Sequence, residues 1–552
     1  MAPFFFWPIL FVTLPVLVWL LDATPAAQLP HQLSTPDATS VARQRPVARR
    51  KPAIPQAAKD GWSFGFGYFF FGLFWIGEAF LVEAETFGFL LPFAVTLMPA
   101  GLAVFWAIAT GVARWFWRPG LHRVFILALT LSAAEFARGH LFTGFPWNTL
   151  GYALTWPLSF MQSASVIGIY GLTLLTVIIF AGPLVGLAAP RGLRIAPRNN
   201  RNQNRFSLTG PGRVGLAMAC LPLLMIYGFG TARLAGYEPT YVEGVKLRVV
   251  QPATRQRDKW RAEKQSEIFQ THLDLSRVNQ AGAFDNLEGV THVVWPEAAM
   301  PFLPLSTPQA LSAIGEMLPP DTYLISGALR VTQAAAPNAD IYTSAPGTRR
   351  VYNSLMVFGP TGGLVSLYDK LHLVPFGEYL PFQRELEAIG LQSLTRVRGG
   401  FSTGVSPRPT LQIPGLPAFV PLICYEAIFP TQAIQDPGVI NGTRKPGLLI
   451  NVTNDGWFGN MTGPPQHFHQ NRIRAVEEGL PLVRAANNGI SAVVGPHGHI
   501  KKILHLNEKG AIDAMLPSRL NNTVYAQFGD IPFLAIWLCI MILIGVTRLG
   551  RG

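Results

Sequence analysis

Long apolar runs fill much of the first 232 residues, and one more lies near the end of the chain. They lie at about 3–22, 62–82, 87–113, 121–138, 161–189, 213–232 and 530–548. A helix needs about 20 such residues to cross the hydrocarbon core of a bilayer. The pattern predicts a transmembrane domain over 1–232 with about six spans, and a C-terminal transmembrane helix over 530–548.

Residues 240–525 have a different pattern, in which short apolar strands alternate with amphipathic stretches. The predicted strands are KLRVVQPA, THVVWPE, TYLISGAL, FVPLICYE and LLINVTND, with hairpins at RVYNSLMVF–LVSLYDK and GISAVVGPHGHIKKIL. The predicted helices are KWRAEKQSEIFQTHLDLSRVNQAG and HFHQNRIRAVEEGL. Such alternation indicates a layered α/β domain whose chemistry lies at the strand ends.

Basic residues are concentrated in the loops between the apolar runs. The segments ARQRPVARRK, ARWFWRPGLHR, PRGLRIAPRNNRNQNR and RLGRG fall on one side of the membrane if every run spans it. By the positive-inside rule that side is the cytoplasm, so 240–525 is predicted to face the periplasm. The stretch from about 23 to 60 is predicted to be a disordered loop. ATPAAQ also permits a cleaved signal peptide, but the basic residues that precede such a peptide are missing.

The composition agrees with a membrane protein. Of the 552 residues, 49% are hydrophobic and only 14% are charged, whereas a soluble protein has about a quarter charged. The net charge of +13 would fit nucleic-acid binding, but its position in the loops argues against a nucleic-acid partner. Cys220 and Cys539 lie inside apolar runs, so no disulfide framework is predicted and Cys424 is the candidate nucleophile.

Three ionisable side chains end predicted strands in this region. Glu297 follows VVWP, Lys370 follows LYD and Cys424 follows VPLI. Groups at strand ends converge on one crevice in an open α/β sheet, where they could act as base, electrostatic stabiliser and nucleophile. Taken singly, each has another explanation, because a Glu or Lys there is often solvated and a strand Cys often belongs to the core. The residues alone leave both explanations open.

A set of longer motifs resembles one family. WPEAAMP, YDKLHLVPFGEYLP, ICYE, NVTNDGWFG, GPPQHFHQNRIRAVE and RAANNGISAVVGPHG occur in the order found in the apolipoprotein N-acyltransferases, and FTGFPWNTLGY and YAQFGD match the membrane part of that family. The family is a membrane-embedded branch of the nitrilase superfamily. The resemblance implies a polytopic α-helical membrane domain plus an α/β nitrilase-like domain, an α-β-β-α sandwich.

The resemblance also implies roles for single residues. Glu297 would be the general base, Lys370 would stabilise the oxyanion, and Cys424 would carry the acyl group as a thioester. Further site residues carried over from the family motifs are Glu378, Tyr425, Glu426, Asn353 and Trp260. Trp260 could instead pack on a helix, and Glu426 could instead form a structural ion pair. We also expect the Cys424 thiolate to be favoured by the neighbouring ammonium.

The implied reaction takes place in the bacterial inner membrane and needs no cofactor. A phospholipid is the acyl donor, and the amino terminus of a diacylated apolipoprotein is the acceptor. The runner-up is a membrane-bound amidase or nitrilase, in which water resolves the thioester. A binding or scaffold protein without catalysis is a third possibility, against which the intact Glu, Lys and Cys set argues.

No metal site is predicted. His467 and His469 lie two residues apart on different faces of a helix, and His372 has no evident ligand partner. The family pattern has eight spans with the amino terminus inside, whereas we count seven runs here. Because the first run resembles the second span of the family, we expect a further span to be encoded upstream of Met1.

Overall fold

The computed structural model describes residues 2–23, 53–118, 120–187, 210–279, 282–333, 349–388, 400–435, 439–440, 443–444 and 446–549. Most of the predicted loop at 23–60 lies outside these residues. Its last part is not a loop, because a helix already begins at Ile54. The first turns of that helix pack on a neighbour, where Thr110 Oγ1 donates to the Ala57 carbonyl at 2.9 Å. This packing stabilises a helix where the Pro- and Ala-rich composition favoured a loop.

Every predicted apolar run contains a helix. The seven helices are α1 Leu10–Ala23, α2 Ile54–Leu73, α3 Leu91–Phe116, α4 His122–His140, α5 Ala164–Leu187, α6 Gly210–Leu234 and, at the end of the chain, Ile531–Leu549. Short helical turns at Glu78–Leu81, Ala84–Phe87 and Leu158–Met161 link some of them. Helix α5 is buried along most of its length and forms the centre of this half. Large apolar side chains on the outer helices are exposed, as expected of a surface in lipid.

Four segments of the described chain are long and apolar enough to cross a membrane. They are Ile54–Leu81, Ala84–Phe116, Ala164–Pro183 and Gly212–Leu234. The apolar helices Trp7–Ala23 and Ile531–Val546 are shorter. Helix α4 belongs to neither group. It contains a fully buried ion pair between Arg138 and Glu135 at 2.5 Å. The total of seven spans stays a prediction.

The second half contains two six-stranded sheets. In chain order the strands are β1 Tyr241–Gln251, β2 His292–Val294, β3 Tyr323–Gln333, β4 Arg349–Phe358, β5 Leu364–Asp369, β6 Leu411–Ile413, β7 Leu416–Ile423, β8 Leu448–Thr453, β9 Leu482–Ala486, β10 Ser491–Val494, β11 Ile500–Leu504 and β12 Gly510–Pro517. The first sheet has the order β12-β1-β2-β3-β4-β5, and the second has the order β11-β10-β9-β8-β7-β6. A two-stranded sheet pairs Val439–Ile440 with Thr443–Arg444.

The two sheets pack face to face and are covered by helices on their outer faces. Helices α7 Gln265–Ser276 and α8 Pro308–Met317 cover the first sheet, and α9 Gly463–Glu478 covers the second. This layering confirms the predicted α-β-β-α sandwich. The helix Ile531–Leu549 follows the sandwich in the chain and is labelled α10. The strands β1, β2 and β3 run parallel, as do β7, β8 and β9. Parallel strands end at the same edge, which positions the site.

Some elements differ from the sequence predictions. The predicted helix at 259–282 begins only at Gln265, because the preceding residues form short 3-10 turns. The strand Leu482–Ala486, the helix Pro308–Met317 and the edge strand Gly510–Pro517 were not predicted.

Candidate active site

Three strand ends place Glu297, Lys370 and Cys424 in one buried site. Their exposed fractions are 7%, 1% and 6%. The Lys370 ammonium lies 3.7 Å from Glu297 Oε1, and the charges of both side chains act on the Cys424 thiol. Gly327 lets the backbone of β3 lie against the backbone at Glu297, since a Cβ atom at position 327 would be only 2.5 Å from the Glu297 Cα. The structure therefore brings together the three side chains that the sequence placed at separate strand ends.

Asn353 and Glu378 complete the polar centre. The Asn353 amide donates to Glu297 Oε1 at 2.7 Å and to Glu378 Oε1 at 2.9 Å. The Lys370 ammonium lies 2.9 Å from Glu378 Oε2. The Val374 backbone amide donates to the same oxygen, also at 2.9 Å. One amide and one ammonium thus hold two carboxylates in fixed positions.

The Lys370 side chain is a cation in this setting. Burial would lower the pKa of the ammonium, but the carboxylates of Glu378 and Glu297 outweigh burial and hold the pKa well above its ordinary value. A fixed positive charge in a buried site is suited to stabilising an oxyanion that forms during acyl transfer.

The Cys424 thiol has a raised pKa. Burial raises its pKa, the charge on Glu297 raises it further, and Lys370 lowers it by less than these two raise it. Lys370 thus favours the thiolate, as expected, but burial and Glu297 outweigh it and hold the pKa of the thiol above its ordinary value. Cys424 also adopts a positive φ of 51°, a backbone conformation that non-glycine residues seldom take. A buried neutral thiol needs a base before it can attack, and Glu297 is the carboxylate that acts on it most strongly.

A second polar network surrounds the Cys424 backbone. Asn451 Nδ2 donates to the Cys424 carbonyl at 3.3 Å, and His467 Nε2 lies 3.2 Å from the same oxygen. His467 Nδ1 lies 2.9 Å from Asp455 Oδ1, and Arg484 donates to Asp455 Oδ2 at 2.6 Å. His467 and Asp455 were not assigned a role from the sequence, although both lie within family motifs. These contacts fix the strained residue that carries the thiol.

Glu426 lies behind Cys424 and forms an ion pair with Arg408. Its Oε1 accepts from Arg408 Nη2 at 2.8 Å and from the Tyr368 hydroxyl at 2.6 Å. Its Oε2 accepts from the Ile423 backbone amide at 2.8 Å. Arg408 and these donors lower the pKa of Glu426 against the effect of its burial. Of the two explanations left open by the sequence, the contacts match the structural ion pair.

Tyr425 connects the site to the membrane half. Its hydroxyl donates to the Gly144 carbonyl at 3.0 Å, in the motif FTGFPWNTLGY. Nearby, Trp147 Nε1 donates to Gln466 Oε1 at 2.8 Å across the same boundary. The two halves are thus joined by hydrogen bonds close to Cys424.

Trp260 does not join the buried centre, and its side chain is 45% exposed. Its neighbour Lys259 is buried and donates to the Glu297 carbonyl at 2.9 Å. Burial lowers the pKa of Lys259 to about 8, although the charges on Glu297 and Cys424 oppose that shift. Lys259 was not predicted to be a site residue, and its only signal in the sequence is its position beside Trp260 in RDKWRAE.

The described part of the chain contains no group of three or more His, Cys, Asp or Glu side chains arranged to hold a metal ion. His467 and His469 point to different partners, since His469 Nε2 lies 2.7 Å from Thr155 Oγ1 in the membrane half. The site offers a thiol, two carboxylates and an ammonium, which is a set suited to covalent acyl transfer.

The sequence of the chain matches two protein families that fit the observed fold. Residues 246–524 match the family model of the carbon-nitrogen hydrolases, so the fold and site define a protein of that class. Residues 1–182 match the apolipoprotein N-acyltransferase N-terminal domain. The chain is 42% identical to an apolipoprotein N-acyltransferase of Rhodopseudomonas palustris, over 100% of this chain and 93% of that protein. The chain belongs to the apolipoprotein N-acyltransferase family.

Two further proteins are similar to the chain. An apolipoprotein N-acyltransferase of Bradyrhizobium diazoefficiens is 42% identical, over 99% of this chain and 92% of that protein. Among solved structures, the NitN amidase from a Nesterenkonia species is 17% identical, with a TM-score of 0.33, over 53% of this chain and 99% of that chain.

Proposed function

We propose that this chain moves an acyl chain from a membrane phospholipid, through a thioester on Cys424, to the terminal α-amino group of a diacylglyceryl-cysteine on apolipoproteins. The observation that supports it most is the convergence of Glu297, Lys370 and Cys424 in one buried site. The family membership supports the reaction class, and the geometry supports the role that we propose for each side chain. The catalytic half is hydrogen-bonded directly to the membrane half, which fits a reaction in which both substrates are anchored in a bilayer.

The first half-reaction consumes the phospholipid. Glu297 takes the thiol proton, and the Cys424 sulfur attacks the carbonyl carbon of the ester. Lys370 stabilises the oxyanion of the tetrahedral intermediate. When the ester C–O bond breaks, the leaving lysophospholipid oxygen takes the proton back from Glu297. The products are a thioester on Cys424 and a lysophospholipid.

The second half-reaction forms the amide. The α-amino nitrogen attacks the thioester carbonyl and loses a proton to Glu297, while Lys370 again faces the oxyanion. The C–S bond breaks, and the sulfur takes the proton from Glu297. An ester and an amine have then become an alcohol and an amide, and the enzyme is restored. A thioester divides one difficult transfer into two easier steps.

The test is mass spectrometry of the purified full chain incubated with a phospholipid that carries a labelled acyl chain. We expect a labelled adduct on Cys424 that hydroxylamine removes and that a diacylated lipopeptide discharges as an amide. The Cys424→Ala variant is the control and should carry no adduct. Discharge to free fatty acid at the same rate with and without the lipopeptide would favour the amidase alternative.

The orientation is part of the proposal, with the catalytic half on the periplasmic side of the inner membrane. It is supported by the basic loops of the sequence. A cysteine introduced at the exposed Ser312 tests it. Labelling of that cysteine by an impermeant thiol reagent in spheroplasts is the expected result, and labelling only after lysis would reverse the topology.

A further inference from the structure

A group of basic side chains lies where helix α6 meets the catalytic half. It consists of Arg233, Arg472, His497, His499 and Lys501, and we call it the basic cluster. Arg233 is in the last turn of Gly210–Leu234, whose segment Gly212–Leu234 is apolar enough to cross a membrane. The two histidines lie in and beside the hairpin turn between β10 and β11.

Hydrogen bonds through backbone carbonyls and Gln162 hold these side chains together. Arg472 Nη2 donates to the Gly498 carbonyl at 2.7 Å, between the two histidines. Arg233 Nε donates to Gln162 Oε1 at 3.2 Å, and Gln162 Nε2 donates to the His497 carbonyl at 3.0 Å.

The Tyr237 ring packs against three members of the cluster. The Tyr237 ring lies 4.1 Å from the His497 ring and 5.8 Å from the His499 ring. Lys501 Nζ lies 5.7 Å from the same Tyr237 ring. Tyrosine is enriched at membrane–water interfaces, which agrees with its position three residues after the apolar helix ends.

The positive charges of the cluster have no acidic partner among the described residues. No carboxylate there is hydrogen-bonded or ion-paired to Arg233, Arg472 or Lys501. Burial lowers the pKa of His497 to about 4, and the charges on Arg233, His499 and Lys501 lower it further. His497 is therefore neutral at neutral pH, and the three cations of the cluster, Arg233, Arg472 and Lys501, lie together without a neutralising carboxylate.

Several polar nitrogen atoms of the cluster are buried without a hydrogen-bond partner. Arg233 Nη2, His497 Nδ1 and His499 Nδ1 have no hydrogen-bond partner. The His497 side chain is only 5% exposed. A buried polar atom without a hydrogen-bond partner destabilises the fold. An anion with several acceptor oxygens would neutralise these cations and would give the unpartnered nitrogen atoms a hydrogen-bond partner.

We propose that the basic cluster binds the phosphate group of a phospholipid headgroup. Arg233 ends a membrane helix, so a phosphate at its depth belongs to the headgroup layer of a bilayer, and basic pockets beside membrane helices bind such headgroups. The site is separate from the nucleophile. His467, which contacts the Cys424 carbonyl, and Arg472 are five residues apart on α9, about 7.5 Å along its axis and about 140° around it.

The test counts bound lipid by native mass spectrometry of the full chain in detergent with added phosphatidylglycerol. The Cys424→Ala background prevents acyl transfer, so the outcome does not depend on the proposed function. We expect the Arg233→Gln/Lys501→Gln double variant to retain one phospholipid at least about tenfold more weakly than the parent, because two charge-assisted bonds are lost. Arg213→Gln, an exposed arginine at the other end of the same helix, should retain it fully.

Equal retention in the double variant, or an equal loss in Arg213→Gln, would overturn the proposal. If the double variant does not fold, Lys501→Gln alone provides the comparison, because Lys501 is half-buried and makes no hydrogen bond that the fold needs. Inorganic phosphate distinguishes the source of the anion. Thermal stabilisation of the parent by inorganic phosphate, without lipid retention, would overturn the assignment to a lipid.

Discussion

The ammonium of Lys370 lies closer to Glu378 than to Glu297. Its Nζ is 2.9 Å from Glu378 Oε2 and 3.7 Å from Glu297 Oε1. The two carboxylates therefore divide the work. Under the proposed mechanism, Glu378 neutralises and positions the lysine, while Glu297 stays available to take the thiol proton. Asn353, which donates to both carboxylates, keeps this division fixed.

Glu378→Gln tests this division. Loss of the carboxylate removes the charge that most strongly raises the pKa of Lys370. We expect turnover to fall by about 10²-fold, the range for a displaced oxyanion stabiliser. The alkaline limit of the pH–rate profile should also move to lower pH, because Lys370 loses its proton more readily. Glu385→Gln, at an exposed position seven residues later, is the control, and an unshifted profile in Glu378→Gln would contradict the assigned role.

The three cysteines allow a direct test of the nucleophile. Cys424→Ala and Cys424→Ser should both abolish transfer to a diacylated lipopeptide. Cys220→Ala and Cys539→Ala should keep parental activity, since both side chains lie exposed on apolar helices. Full activity of Cys424→Ala would end the thioester mechanism.

The neutral resting state of Cys424 predicts its alkylation behaviour. Because burial and Glu297 raise the thiol pKa, the thiolate fraction should rise about tenfold per pH unit between pH 7 and 9. The rate of iodoacetamide labelling at Cys424, followed by peptide mass spectrometry, should rise in proportion. Glu297→Gln should label faster than the parent at each pH although it no longer transfers acyl chains. A plateau of the parental rate above pH 7 would instead restore the thiolate that the sequence suggested.

The strand ends could be predicted from the sequence because their signal is local. Apolar runs that stop at Glu297, Lys370 and Cys424 place three functional groups at sheet edges, and family motifs link them. The helix cores were also predicted, since a run of about 20 apolar residues needs no partner to be recognised. Features that depend only on neighbouring residues in the chain, such as strand ends and apolar helices, could therefore be predicted.

The missed features depend on partners distant in sequence. The strand Leu482–Ala486 contains the fully buried Arg484, and a charge inside a short run hides the strand pattern. Its guanidinium is satisfied by Asp455, a pairing that spacing does not reveal. Lys259 looked like the start of an amphipathic helix, yet its side chain turns inward to the Glu297 carbonyl. The resting charge of Cys424 likewise depends on burial, which a sequence does not display.

The Glu426–Arg408 pair predicts a large effect on stability. Glu426→Gln would leave the buried Arg408 charge without its carboxylate. Breaking one side of a buried pair costs about 3–5 kcal/mol. We expect a loss of this size in the free energy of unfolding of the full chain in detergent. Glu316→Gln, at an exposed helix position, should change it by no more than about 0.5 kcal/mol, and similar values for both variants would refute the structural assignment.

Lys259 predicts how stability depends on pH. Burial lowers the pKa of its ammonium to about 8 in the folded chain, from an ordinary value of 10.5. Between these two pH values the unfolded chain binds the proton more often than the folded chain, so the contribution of Lys259 to stability rises with pH. Below pH 8 both states are protonated, and the folded state carries the full cost of a buried charge. Lys259→Met removes this dependence. The unfolding temperature of the parent minus that of Lys259→Met should therefore increase from pH 8 to 10.5, whereas the same difference for Lys509→Met, at an exposed position, should stay flat. A constant difference for Lys259→Met across this window would show that Lys259 does not titrate there.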